Sequence, residues 1–320
     1  MLYRRYGRTN LEISALTFGA MRIPFNEKCS TAERDKGEAN AVATVRRAME
    51  LGINHIDTAR GYGNSERLIG LAVQELGRDK FYITTKVPIQ KSADETLRHI
   101  EESLKRMNIN RIDIVDLHGI NTPERLKLAT DTNACLGGLL KAKDEGLISH
   151  VSFSSHGGPE LLIPAMETGF FSSASIHFWW THQRNAISAA RAEQLSIGIL
   201  ILSPTEKGGL LFAPTPQLSN ACAPFTPLVL AHRWLLAQPG VTSLTVGAAR
   251  PEEFDAHMGA VEKPDCLTKE QLSALEQCRN IEKKLSVALV ARFVTNVCHV
   301  HKMLQFRKFC GFEILGKPLT

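Results

Sequence analysis

Short apolar runs alternate with longer amphipathic stretches along most of the 320 residues. Leu16–Met21, Gly52–Asp57, Phe81–Lys86, Ile112–His118, Ile148–Phe153, Ser172–Phe178, Ile197–Leu202 and Val241–Val246 read as strands. Several of them are nearly continuous in apolar and β-branched residues, as strands buried on both faces are. Helical pattern fills the intervals: about Glu38–Leu51, Ser65–Leu76, Ala93–Met107, Pro123–Glu145 with a break near Asp131–Asn133, Leu161–Thr168, Asn185–Leu195, Phe225–Ala237, Glu252–Met258 and Lys269–Arg279. Leu97, Ile100, Leu104 and Met107 show the helical spacing most clearly. Residues 3–14 read as a hairpin that plugs a barrel floor, with Gly7 and Thr9–Asn10 as turn chemistry. Residues 22–38 and 205–224 read as polar, irregular connections on the opposite face. Eight strand–helix units at intervals of about 30 residues predict an α/β fold, a (β/α)8 TIM barrel with an amino-terminal hairpin and a C-terminal extension. A doubly wound sheet would need a glycine-rich first turn. Gly61-Tyr-Gly63 lacks the third glycine and follows the second strand. The division expected is a barrel over residues 1–279 and a basic extension over 280–320.

Charge changes this picture only at the end of the chain. Residues 280–320 hold seven Lys/Arg against two Asp/Glu, an excess of +5 that equals the formal charge of the whole chain. The body is therefore near neutral and gives no electrostatic reason to bind nucleic acid or a membrane surface. Two readings of the extension stand, a helix across the barrel base or a mobile tail. The opening residues carry no apolar signal core, and no apolar run reaches the roughly 18 residues that span a membrane. A cytoplasmic location is expected. The seven cysteines include no CxxC pair, so free thiols are expected. Cys298, His299, His301 and Cys310 are too irregularly spaced to predict a metal site, and no metal is expected.

The candidate chemistry gathers at strand ends. Asp57 closes the second strand, Lys86 the third and His118 the fourth, while Tyr62 follows Asp57 on a loop between two glycines. In a parallel barrel those ends converge on one face, where active sites sit. Each residue alone has a plain structural reading: a core-capping aspartate, a surface lysine, a core histidine, a loop tyrosine. Their joint occurrence at successive strand ends points instead to a site. A phenol is a poor acid near neutrality, with a pKa of about 10. An adjacent ammonium favours the phenolate, and a carboxylate keeps that ammonium charged and oriented.

Asp57-Thr-Ala-Arg-Gly-Tyr-Gly-Asn-Ser-Glu66, Thr85-Lys86-Val87 and Leu117-His118-Gly119 together resemble the aldo-keto reductase superfamily. Tyr3–Ser14 and Phe18-Gly-Ala-Met21 resemble its hairpin and first barrel strand, and the likeness covers about residues 1–260. The resemblance implies an oxidoreductase that moves hydride from NADP(H), or alternatively NAD(H), to an aldehyde or ketone. Asp57, Tyr62, Lys86 and His118 match its four catalytic positions, with Tyr62 as general acid, Lys86 as its tuner, Asp57 as the lysine's partner and His118 as carbonyl orienter. The resemblance also implies cofactor positions at Gly19, Ala20, Met21 and Asp57, and at Ser154 and Ser155 for the nicotinamide carboxamide. His177 stands where a glutamine is usual, and Leu202 where a stacking aromatic is frequent. Ser203 and Lys207 match the pyrophosphate loop. Gly247, Arg250 and Glu253 match the adenosine phosphate segment, where Glu253 replaces a common basic residue and leaves Arg250 as the nearby cation. His257 takes the place of an adenine-contacting Asn.

A small-molecule carbonyl is the expected partner, with no nucleic acid and no membrane span. Trp179 and Trp180 adjoin the same face, as a pocket wall or as core. Two further readings stay open. One is a nucleotide-bound, weakly catalytic sensor or regulatory subunit. The other is a barrel lyase or isomerase using Lys86 in a Schiff base.

Overall fold

The computed structural model describes residues 1–24, 30–262 and 267–280. Strands β1 (Tyr3–Arg5) and β2 (Glu12–Ser14) pair antiparallel as the expected hairpin. Asn10 adopts the left-handed conformation, φ 58°, at its turn. Eight parallel strands follow: β3 (Leu16–Gly19), β4 (His55–Asp57), β5 (Tyr82–Pro88), β6 (Ile112–His118), β7 (Ile148–Ser155), β8 (Ser173–His177), β9 (Gly198–Leu202) and β10 (Val241–Gly247). They close in chain order, with β10 against β3, into the predicted barrel. The surrounding helices are α1 (Thr31–Glu50), α2 (Ser65–Leu76), α3 (Ala93–Met107), α4 (Pro123–Thr130), α5 (Cys135–Asp144), α6 (Pro159–Glu167), α7 (Ala186–Gln194), α8 (Pro216–Cys222), α9 (Pro227–Leu236), α10 (Asp255–Met258) and α11 (269–280).

Three boundaries differ from the sequence reading. Helix α1 begins at Thr31 rather than near Glu38, because Ser30 and Glu33 form a reciprocal capping box. The connection read as loop over 205–224 contains α8, whose start is fixed by the Thr215 side chain accepting from the Leu218 N–H and by Pro216 in the first turn. Strand β3 stops at Gly19, and Ala20–Arg22 turn as a 3-10 segment. The break expected near Asp131–Asn133 is present between α4 and α5. The extension beyond residue 280 lies outside the described residues. Among the described residues no helix is long and apolar enough to cross a membrane.

Stability comes mainly from the layer between strands and helices. Outward-facing Val115, Leu117, Phe153, Ile176 and Ile199 are buried in one continuous core with Val45, Leu68, Ile69, Ile100 and Leu139 of the helices. The lumen is filled differently. Its floor is apolar, formed by Tyr6, Ile13, Ile114 and Leu200. The hairpin seats there so closely that a Cβ on Gly7, itself at φ +55°, would lie 2.0 Å from the Gly198 amide nitrogen. Above the floor the lumen turns polar. Ser243 donates to the Ser14 carbonyl at 2.8 Å and lies 2.7 Å from the Thr17 hydroxyl. Thr17 meets His55 Nδ1 at 2.9 Å, and His55 Nε2 meets Thr84 at 2.8 Å. Since Ser243 has already spent its proton, Thr17 donates to Ser243, His55 Nδ1–H to Thr17, and Thr84 to Nε2. TIM-barrel lumens are usually packed with bulky branched side chains; this one carries a hydrogen-bonded middle layer beneath its strand ends.

Candidate functional site

The four expected residues converge at the C-terminal ends of β4, β5 and β6. Gly19, Asp57 and Thr84 lie abreast in register, as do Lys86 and Asp116, and His118 and Ser154. Lys86 is 1% exposed and Asp57 2%. Lys86 Nζ donates to Asp57 Oδ1 and, at 3.0 Å, to the Thr58 carbonyl. The loop that carries Tyr62 is stitched to its surroundings. Thr58 N–H donates to Thr84 O at 2.8 Å, Arg60 N–H to Lys86 O at 3.1 Å, and Tyr62 N–H to Ala59 O at 3.0 Å. The Thr58 and Ser65 hydroxyls share a hydrogen bond of 2.7 Å. Gly63, at φ +56°, then turns the chain toward α2. The result sets the Tyr62 ring 5.3 Å from Lys86 Nζ, and edge-to-face with His118 at 6.0 Å and 87°.

Burial and charge set the protonation states. Burial works against a charged Lys86, but Asp57, Tyr62 and Asp116 outweigh it and hold the ammonium well above the usual lysine range. Burial, then the Lys86 charge, pushes His118 down to about 4, so its ring is neutral and carries one N–H donor near pH 7. Tyr62 departs from expectation. The Lys86 charge is its largest single influence and pulls the phenol down, yet burial and the carboxylates of Asp57 and Asp116 together carry it above the usual value. The phenol therefore keeps its proton at all ordinary pH.

The remaining positions form a rim around this centre. Gly19 and Gly247 lie abreast on adjacent strands, Ala20 is buried, and Met21 is 65% exposed. Ser154 is buried, and its oxygen accepts the Gly119 N–H at 3.2 Å. Ser155 does not present a free hydroxyl: it donates to Ile120 O at 2.5 Å and accepts the Gly157 N–H at 2.9 Å, bracing a loop. His177 lies in a row of flat rings, 4.0 Å from His156 and 4.9 Å from Trp179. Trp179 Nε1 donates to the Leu202 carbonyl at 2.8 Å, so the first tryptophan borders the rim while Trp180 packs beside Leu211 and Leu228. Ser203 and Lys207 sit on turns with positive φ, and Lys207 is exposed.

Arg250 is paired with Glu252 at 3.3 Å and Glu253 at 3.7 Å. Glu253 also accepts the Ala249 N–H at 3.1 Å and pairs with Arg22 at 3.3 Å. Sequence reasoning missed Arg22, which lies in a stretch without periodicity. His257 is buried, stacked on His232 at 5.1 Å and 10°. Among the described residues no group of three or more His, Cys, Asp or Glu is placed to hold a metal ion.

Comparison with known proteins bears on the family and the fold. The model of the Aldo/keto reductase family matches residues 15–219. L-galactose dehydrogenase of Arabidopsis thaliana is 26% identical, covering 88% of this chain and 96% of its own. A putative voltage-gated potassium channel subunit beta of Schizosaccharomyces pombe is 26% identical over 87% of this chain and 93% of its own. The solved holo form of an aldo-keto reductase from Bacillus halodurans superposes with a TM-score of 0.73, covering 87% of this chain and 96% of that one, at 20% identity, a likeness of fold.

The electrostatics of the centre can be checked directly. The His118 ring should titrate near 4 by NMR, and Lys86→Met should move that midpoint upward toward the ordinary 6.5, since the lysine charge is the second cause of the shift. An unchanged midpoint in the folded variant would mean that burial alone neutralises the ring.

Proposed function

The chain belongs to the Aldo/keto reductase family, and we propose that it is a nicotinamide-dependent reductase of an aldehyde or ketone, with NADP(H) as its dinucleotide. The observation that carries the reading is the buried Lys86–Asp57 pair facing a protonated Tyr62 and a neutral His118. Tyr62 is the general acid. Its phenol gives a proton to the carbonyl oxygen as negative charge develops there. Lys86 stabilises the phenolate left behind, and Asp57 holds Lys86 charged and aimed. His118, neutral, donates its one N–H to the same oxygen and fixes the carbonyl's orientation.

Several features suit the family's dinucleotide. The Ser154 oxygen and the His177 ring border the centre, and Lys207 offers a cation on an open glycine turn. Arg22 and Arg250 flank one carboxylate, Glu253, through ion pairs whose arginine side chains are 48% and 65% exposed. Exposed pairs of this kind are worth about 0–1 kcal/mol, so a phosphate can take both arginines from it at little cost. The bound group supplies the hydride that protein side chains cannot. A second reading, a nucleotide-bound and weakly catalytic regulatory subunit, draws on the relative named a channel subunit beta and on the raised Tyr62, which makes a reluctant acid.

Two measurements bear on these readings. Tyr62→Phe should lower kcat for an aromatic aldehyde by about two orders of magnitude or more, the scale of lost acid catalysis, while leaving nucleotide affinity unchanged. A wild-type chain that binds nucleotide and reduces no member of a broad carbonyl panel would favour the regulatory reading. Arg22→Ala and Arg250→Ala should each weaken NADPH about five- to tenfold in a fluorescence titration and spare NADH, the loss of one exposed charge contact. Equal effects on both nucleotides would remove these arginines from the 2′-phosphate.

A further inference from the structure

The reductase reading uses Asp57 as the carboxylate of the site, yet a second carboxylate lies in the same lumen. Asp116 is directly abreast of Lys86 across the β5–β6 ladder and two residues before His118, so its side chain enters the barrel on the same face. It is completely buried. The Ser175 hydroxyl donates to its Oδ2 at 2.8 Å, and among the described residues Oδ1 has no hydrogen-bond partner. A buried carboxylate oxygen without a partner is costly to keep and wants a nearby cation. Lys86 has three N–H donors, of which Asp57 and Thr58 take two.

We propose that Asp116 is a positioning residue for the reaction: a second counter-charge on the floor side of Lys86 that opposes the ammonium's pull on Tyr62 and so keeps the phenol loaded with its proton.

Electrostatics support the geometry. Burial raises Asp116 to about 6 against the pull of Lys86, so it is charged through the neutral and alkaline range in which Tyr62 must hold a proton. Its charge acts upward on both Lys86 and Tyr62. The titratable groups that interact with it are Lys86 from β5, Asp57 from β4, Tyr6 from the floor and Tyr62 from the loop above, while His55 and His118 share the lumen. At its level β7 and β8 offer only Ser152, Ser173 and Ser175. Asp113, the neighbouring aspartate of the same strand, is excluded because it faces outward to Arg78 at 2.6 Å.

The proposal rests on the reductase reading for its consequence but not for its test. The chain has four tyrosines, so subtracting a Tyr62→Phe counterpart isolates the Tyr62 phenolate in an ultraviolet absorbance titration. In Asp116→Asn, which retains an acceptor for Ser175, the Tyr62 midpoint should fall by about one pH unit, and the alkaline limb of kcat/KM for carbonyl reduction should move with it. Asp116→Ser should do the same, and it serves should the asparagine variant fail to fold. A Tyr62 midpoint that stays put in either folded variant overturns the proposal, since a merely structural aspartate would leave it there. A shifted midpoint in a chain that reduces no carbonyl upholds the coupling and counts against the reductase reading instead.

A separate observation concerns two thiols. Cys222 ends α8 and Cys278 lies on α11, and their Sγ atoms are 3.6 Å apart within an apolar cluster of Leu230, Ala274, Phe225 and Leu275. We infer that Cys222 and Cys278 form a disulfide on exposure to a peroxide, tying α11 to the segment that follows Ser203 and Lys207. Cys278 is the partly exposed member and Cys222 is buried, which makes Cys278 the sulfur that meets the peroxide. Its thiolate breaks the peroxide O–O bond and becomes a sulfenic acid. Cys222 then displaces the sulfenic oxygen, so that two thiols and hydrogen peroxide give one disulfide and two waters. Peptide mapping after mild peroxide should find the Cys222–Cys278 crosslink, lost on reduction and absent in Cys278→Ser. Both thiols remaining open to alkylation, or Cys278 passing to the sulfinic acid with Cys222 still free, would overturn the inference.

Discussion

An ammonium that is 1% exposed needs a counter-charge wherever it goes, and Lys86 has one because β4 and β5 are hydrogen-bonded side by side. Removing one member of such a pair leaves an uncompensated buried charge, at a cost of about 3–5 kcal/mol. The pair is therefore tied to the barrel's closure. Asp57 and Lys86 come from neighbouring strands, the Thr58 carbonyl that takes a second ammonium proton lies on the same stitched loop as Tyr62, and that loop is pinned to β5 through Thr84 and Lys86. Tyr62 is placed by the same bonds that satisfy the lysine. Shifting any one of these elements by a residue would turn the charge outward or strand it.

A lumen that houses this pair cannot be filled as most barrels are. The serine, threonine and histidine layer above Tyr6 and Ile13 gives up apolar contact that bulky branched side chains would have made. The helix layer makes up for it, with a continuous apolar core outside the strands. The two jobs are divided by strand alternation: in β6, Val115 and Leu117 face the helices while Ile114, Asp116 and His118 face in. Burial inside then acts uniformly against charge, lowering His55 and His118 and raising Asp116 and Tyr62, and at Lys86 the surrounding negative groups outweigh it.

This division also explains what could be read from the chain. The strands were legible as short apolar runs at regular intervals, and the site because Asp57, Lys86 and His118 close three successive runs and form one chemical set. Helix α1 began earlier than its apolar pattern, since Ser30 and Glu33 specify a start through capping, which hydrophobic periodicity does not register. In α8, Pro216 looked like a loop residue, although after Thr215 it is a helix-start signal. Asp113 and Asp116 lie in one strand, and nothing in its apolar run separates them. Counting back by two from His118 would have separated them, one facing Arg78 outside and the other Lys86 inside. Ser155 has the right chemistry at the right place, but its hydroxyl is spent on Ile120, a pairing only the folded loop reveals. The pull of Lys86 on Tyr62 was legible; the two carboxylates and the burial that reverse it are set by three-dimensional neighbours.

Of the positions where the resemblance implies another residue, Glu253 lies among exposed charges, whereas Asp57, Lys86 and the inner part of the site are buried. The difference follows from depth. At the rim, charges such as Arg22, Arg250 and Glu252 are solvated, their pairs are worth about 0–1 kcal/mol, and one residue can be exchanged for another with little effect on folding. At the centre each polar group completes the bonding of another, so a change costs several kcal/mol before any effect on chemistry. A barrel built this way fixes the buried charges at its strand ends by mutual bonding, while the exposed charges above them are free to vary. Asp116 lies in that deep layer, completely buried and abreast of Lys86. At that depth, a second carboxylate beside a buried ammonium acts on Lys86 and Tyr62 before it acts on anything at the rim.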